Sequence, residues 1–129
     1  MAAPMNQENQ PKKTFPISTN QKSVEVDSNP TDVLCSRFGD RLFIVVSQYK
    51  KLGNLVSITR DNVADDFQSA SPAFSTKVLL GNDQPFTHVL AKNLISKITV
   101  DKPILLSFSL KDTSAKAVST ISNIIKDLR

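Results

Sequence analysis

The chain has 129 residues, with 16 basic and 12 acidic side chains and a net charge of +4 at pH 7. This length predicts one domain, and the scattered Lys and Arg residues, with no Trp and a single Tyr, argue against a nucleic-acid-binding surface. One cysteine and one histidine exclude an intramolecular disulfide and a Cys/His zinc site. Apolar runs are too short for a secretory signal or a membrane span, so we predict a cytoplasmic protein, with the nucleus as a second compartment, and no cofactor.

Residues 1–22 differ in composition from the rest of the chain. They contain three prolines and many polar side chains but no apolar run, which predicts a flexible N-terminal arm. Residues 23–129 then form the folded domain. Its first strand lies around Val24 and Val26, and its second covers 32–38, with a reversal at Gly39.

The run at 42–46, LFIVV, is the most apolar part of the chain. A strand that is apolar on both faces is typical of the centre of a sheet. We interpret residues 49–54 as a hairpin connection, which makes the strand at 55–59 an antiparallel neighbour of 42–46.

The apolar periodicity stops between Arg60 and Ser75, which predicts a long loop. Carboxylates can attract a basic partner, and exposed apolar side chains can anchor in its pockets. A solvated connection without function fits this composition equally well. The loop residues we propose for partner binding are Asp61, Val63, Asp65, Asp66 and Phe67.

A strand at 76–80 ends in Gly81-Asn82-Asp83, and Pro85 suits the first turn of a helix. Apolar residues from Phe86 to Ile98 share one side of this helix. On the other side His88, Lys92 and Ser96 follow each other at intervals of four, as a second candidate surface for partners. A strand at 104–110 and an amphipathic helix ending near Leu128 complete the chain.

These elements predict the α+β class, with an antiparallel sheet of about six strands and two helices packed against it. No cluster of residues predicts catalysis. His88 is interpreted as a solvated or interface histidine, because hydroxyl and carboxylate neighbours arise by chance in any polar helix start. Cys35 is interpreted as a small buried apolar residue.

Two blocks of the sequence resemble the proteasome assembly chaperone 3 family. The long block TKVLLGNDQPFTHVLAKNL, residues 76–94, matches the family's motif at Thr76 to Gly81, Asp83, Pro85, His88, Val89 and Ala91 to Leu94. The second block, SQYKKLGNLVSI, matches through Gln48, Lys51, Gly53 and Leu55 to Ser57. The order of elements agrees from about Val24 to Leu128. The arm and the last helix depart from the family's pattern, and the helix matches only in its apolar spacing.

The resemblance implies a non-enzymatic chaperone of 20S proteasome assembly that acts as a dimer, typically with proteasome assembly chaperone 4. It also implies binding to alpha-type subunits, notably type 5, promotion of the alpha ring, and release before maturation. A homodimer of the isolated chain, without nucleic-acid or membrane partners, fits the same interpretation. Two alternatives stay open, which are a cytosolic adaptor of the profilin-like kind and a small enzyme using Cys35 or His88.

Overall fold

The computed structural model describes residues 17–50, 52–61, 73–99 and 102–129. Within them, strands with alternating apolar residues form one sheet. The elements in chain order are β1 (Ser18–Val26), β2 (Asn29–Arg37), β3 (Leu42–Ser47), β4 (Asn54–Asp61), β5 (Ala73–Leu80), α1 (Pro85–Leu94), β6 (Ile104–Ser109) and α2 (Ala115–Leu128). This confirms the α+β class with six strands and two helices. No described helix is long and apolar enough to span a membrane.

The order of strands across the sheet is β1-β2-β3-β6-β4-β5. The sheet is mixed, because β3 and β6 run parallel while every other neighbouring pair is antiparallel. The predicted hairpin at 49–54 is wrong, since β6 lies between β3 and β4. Strand β6 can occupy this central place because its side chains are buried at five of six positions, as a strand covered on both sides requires.

Strand β1 is longer than predicted. It begins at Ser18, and its first six residues are exposed, so no apolar alternation marks them in the sequence. Backbone pairing with β2 along the whole strand, from Ser18 opposite Arg37 to Val26 opposite Asn29, defines this edge of the sheet. Residues 18–22, which we assigned to the arm, therefore belong to β1. Residues 1–16 lie outside the described residues, and for them the arm stays a prediction.

Both helices pack on one face of the sheet. Helix α1 contacts β4 and β5, helix α2 contacts β1 and β2, and the two helices contact each other. The core lies between them and the central strands, where Ile44, Leu106, Leu94, Ile121 and Ile125 have no exposed surface. Burying such side chains is the main stabilising term of a fold of this size.

The two helices begin differently. Helix α2 is capped by Ser114, whose Oγ accepts a hydrogen bond from the Ala117 amide at 3.2 Å. Asp112 Oδ1 in turn accepts from the Ser114 amide at 2.9 Å, and this hydrogen bond lowers the pKa of Asp112. Helix α1 starts with Pro85 and has no side-chain cap at Gln84.

Candidate functional site

The face of the sheet opposite the helices carries apolar side chains that no described helix covers. The register aligns Leu34 with Val45, Val45 with Ser107, and Ser107 with Leu55 in one row across the sheet. Phe43 and Leu105 are neighbours in the next row. All of these residues except Ser107 are half-buried. We call these five apolar residues of β2, β3, β6 and β4 the open sheet face: Leu34, Phe43, Val45, Leu55 and Leu105.

A cavity of about 500 Å³ opens on this face, beside the segment that joins β3 to β4. Leu52 of that segment lines it and is 64% exposed. The walls combine apolar side chains with a polar and charged rim from β1 and β2. The lining residues are Gln21, Lys22, Ser23, Asp32, Val33, Leu34, Val45, Ser47, Lys50 and Leu52.

A fully buried serine lies among the half-buried apolar residues of the open sheet face. Ser107 is fully buried, and its Oγ is the only buried side-chain polar atom of the described residues without a hydrogen-bond partner. Buried hydroxyls normally have a partner. Exposed apolar patches rimmed by polar residues are typical of protein–protein contacts. The open sheet face therefore has the composition of a surface suited to a protein–protein contact.

Both ring nitrogens of His88 make hydrogen bonds within the chain. Its Nδ1 lies 2.6 Å from Thr76 Oγ1 on β5, and its Nε2 lies 2.6 Å from Asp83 Oδ1. The ring therefore joins the start of α1 to the edge strand. Lys92 is exposed, and Ser96 lies in the turn after α1 with its Oγ donating to the Asn93 carbonyl at 2.8 Å. The role of these three residues in partner binding stays a prediction.

The Thr76 hydroxyl, the His88 imidazole and the Asp83 carboxylate are linked in the order of groups found in a catalytic triad. The Cys35 thiol lies far from them. Cys35 is buried in β2. Burial raises its pKa more than the nearby Arg37 and Arg129 lower it, so the net shift disfavours the reactive thiolate. Strands β2 and β5 are four steps apart in the sheet, which is about 19 Å at ~4.8 Å per step. Cys35 and His88 therefore cannot act on one substrate atom.

The loop candidates are not placed by the structure. Asp61 is the last residue of β4, while Val63, Asp65, Asp66 and Phe67 lie outside the described residues. Their role in partner binding stays a prediction. Among the residues with described side chains, no three His, Cys, Asp or Glu groups come close enough to hold a metal ion.

Two features of the surface were missed or misjudged from sequence. Phe86, assigned to the buried side of α1, is 55% exposed, and Val89 one turn later is 52% exposed. The helix buries Leu90, Ala91 and Leu94 as predicted, but it buries Thr87 as well, so its buried side is rotated away from Phe86. The open sheet face was also missed, because it mixes residues from four strands whose order in the sheet differs from their order in the chain.

Known proteins match this chain over most of its length. The family described as "Proteasome assembly chaperone 3" matches residues 44–128. Relatives of that name include the mouse protein, 35% identical over 113 residues that cover 85% of this chain and 91% of the mouse chain. The Nematostella vectensis protein is 33% identical over 117 residues, covering 84% and 87% of the two chains.

A solved structure shares the fold. It is titled "Crystal Structure of a Novel Chaperone Complex for Yeast 20S Proteasome Assembly", and one of its chains superimposes with a TM-score of 0.66 over 85% of this chain and 97% of its own length, at 12% identity. At that identity the likeness concerns the fold alone. The family match and the relatives decide the assignment: this chain belongs to the proteasome assembly chaperone 3 family.

Proposed function

We propose that this chain is a non-enzymatic chaperone of 20S proteasome assembly that works as a dimer through its open sheet face. Its partner in the proposal is proteasome assembly chaperone 4, and the isolated chain forms a homodimer by the same face. The pair promotes formation of the alpha ring by binding alpha-type subunits, notably type 5. It is released before the particle matures, and it acts in the cytoplasm and the nucleus.

The open sheet face is the observation that carries the proposed dimer. Apolar side chains from four neighbouring strands lie there without a helix over them in the described part of the chain, next to the cavity under Leu52. Burying such residues against a second sheet about 10 Å away would create a sandwich core. A two-fold dimer uses one self-complementary patch on both copies, and a related chain can replace one copy.

Replacing Leu105 with aspartate should weaken the dimer strongly. The substitution puts a charge at the centre of the open sheet face, where pairing would leave it buried and without a counter-ion. We expect the dissociation constant for proteasome assembly chaperone 4 to rise at least about 30-fold, as for a central interface residue worth ~2 kcal/mol. Light scattering after size-exclusion chromatography of the co-expressed chains measures this, with circular dichroism to confirm folding.

Val89→Asp is the control, because Val89 is an apolar residue on the helix side and is 52% exposed, so a charge there stays in water. It should leave the dimer intact. If Leu105→Asp folds and pairs normally while Val89→Asp does not, the dimer forms through the helices and the proposed interface is wrong. The chaperone assignment itself would stand in that case, since it depends on the family match.

The loop between β4 and β5 remains our candidate for alpha-subunit binding. Reversing Asp65 and Asp66 to lysine should weaken binding to alpha subunit type 5 by about tenfold, because charge pairs at an interface rim act mainly on association. Biolayer interferometry with the purified dimer measures the affinity. The control is Asp40→Lys, an exposed aspartate in the β2–β3 turn. If the wild-type protein, the double variant and Asp40→Lys bind alpha subunit type 5 with equal affinity, the loop is not the binding surface.

A further inference from the structure

A trough runs along the helix side of the molecule, opposite the open sheet face. It consists of two adjoining cavities that share Phe86, Leu90 and Thr113. One, of about 320 Å³, lies between the helices and is also lined by Asn93, Ser96, Lys97, Ala115, Val118, Ser119 and Ser122. The other, of about 480 Å³, continues to the ends of β4 and β6 and is also lined by Tyr49, Gly53, Asn54, Asn82, Gln84, Thr87, Phe108, Ser109 and Leu110.

The middle of the trough is apolar. Leu90 and Val118 form its floor and are nearly buried, while Phe86 stands at the junction of the two cavities with 55% of its surface exposed. An aromatic ring left half in water at a concave site is typical of an anchor point for a partner's side chain.

A lysine lies at or beside each end of the trough. Lys97 lines one end, where its Nζ donates to Ser119 Oγ at 2.8 Å and to the Ser119 carbonyl at 3.3 Å. Lys111 does not line the trough but lies beside its other end, where its Nζ is 5.3 Å from the centre of the ring of Tyr49, which does line it. Each ammonium group is held in place by these contacts but has no carboxylate partner among the described residues.

No aspartate or glutamate is among the described residues that line the trough. Two described carboxylates adjoin the lining residues in the sequence, and each makes its own contact, Asp83 with His88 and Asp112 with the Ser114 amide. Both helices also begin at the trough, and neither has an acidic residue in its first turn. Their N-terminal partial charges add to the positive potential of the lysines.

We propose that this trough binds a carboxylate-bearing peptide segment of a partner protein. An apolar side chain of that segment packs on Phe86 and Leu90, and carboxylates on either side of it pair with Lys97 and Lys111. The charges at both ends fix the segment's register, and the aromatic anchor supplies the apolar contact. This surface is separate from the open sheet face, so the chain can hold a dimer partner and this segment at once.

The test uses the full chain labelled with nitrogen-15 and two synthetic peptides of about twelve residues. One peptide has leucines among glutamates, and the other has glutamine at every glutamate. We expect the glutamate peptide to shift the backbone amides of Phe86, Leu90, Lys97 and Val118. The glutamine peptide should bind at least tenfold more weakly, and added salt should weaken the glutamate peptide as screening requires.

Two variants localise the binding. Lys97→Glu combined with Lys111→Glu should lower the affinity for the glutamate peptide at least tenfold. Lys77→Glu, an exposed lysine on β5, should leave it unchanged. If the double variant is unstable, Phe86→Ala provides the same test through the apolar contact.

Three results would overturn the proposal. They are equal binding of the two peptides, amide shifts confined to the open sheet face, and no shifts at millimolar peptide. A single-stranded oligonucleotide that shifts the same amides as strongly as the glutamate peptide would likewise show that the trough recognises anions in general. None of these results bears on the dimer, which Leu105→Asp tests separately.

Discussion

Gly53→Ala should destabilise the protein much more than Gly39→Ala, the substitution of the other described glycine without a positive φ. Gly53 lies against the end of β6. A Cβ at position 53 would be 2.3 Å from the Phe108 carbonyl oxygen and 2.7 Å from Ser109 Cβ. The nearest atom belongs to the backbone of a central strand, so the β3–β4 connection must move away from β6. We expect the free energy of unfolding to fall by about 3 kcal/mol, at the upper end of overpacking costs.

Gly39→Ala is the matched control for this substitution. Nothing lies within 4 Å of a Cβ at position 39, so the change should stay within about 0.5 kcal/mol. Urea denaturation followed by circular dichroism gives both values. Equal stabilities for the two variants would mean that the connection does not pass as close to β6 as described here.

Replacing Gln48 with leucine should have a comparable effect for a different reason. The side chain is 4% exposed and makes three hydrogen bonds. Its Oε1 accepts from the Lys111 amide at 2.7 Å and the Asp112 amide at 3.2 Å, and its Nε2 donates to Thr31 Oγ1 at 3.0 Å. Leucine fills a similar volume but leaves both amides without this acceptor. Each such loss costs about 1–3 kcal/mol, so we expect a total of about 2–6 kcal/mol for the two amides.

The location of Gln48 suggests a second readout. It connects the end of β3 with the segment that leads into α2, so its loss should loosen the start of that helix before the whole domain unfolds. Hydrogen exchange of the amides at 111–118 measures this local opening. Gln84→Leu, an exposed glutamine without a side-chain cap bond, should change neither stability nor exchange there. A Gln48→Leu protein with wild-type stability would contradict the role assigned to these hydrogen bonds.

The local pattern of apolar residues predicted the strands and helices, but it did not predict which strands are neighbours in the sheet. The run Leu42–Val46 reads as a central strand because its side chains are apolar at every position, and β3 is indeed central. Its pairing with β6 joins residues more than 60 positions apart, and no periodicity within either strand encodes that choice. Two strands separated by a short segment are usually paired, which is why the connection at 49–54 looked like a hairpin.

The side chains that organise the surfaces were the hardest to identify. One hydrogen-bond partner of His88, the Thr76 hydroxyl, belongs to a different element twelve residues earlier in the chain. Only the nearby Asp83 could therefore be anticipated from the sequence. Gln48 stands among polar residues in the sequence, and a polar residue at the end of a strand is ordinarily expected outside. The open sheet face became visible only with the strand order. The family resemblance, in contrast, depended on contiguous motifs and was confirmed.

The position of β6 between β3 and β4 has a consequence for synthesis on the ribosome. Strands β1 to β3 can pair as they emerge, and β4 can pair with β5, but within the sheet these two parts are joined by β6 at residues 104–109. Until nearly the whole chain has left the exit tunnel, β3 and β4 each present a bare apolar edge, which favours aggregation. Translation that stops before residue 104 therefore yields two separate half-sheets, which makes the prematurely terminated chain a substrate for quality control.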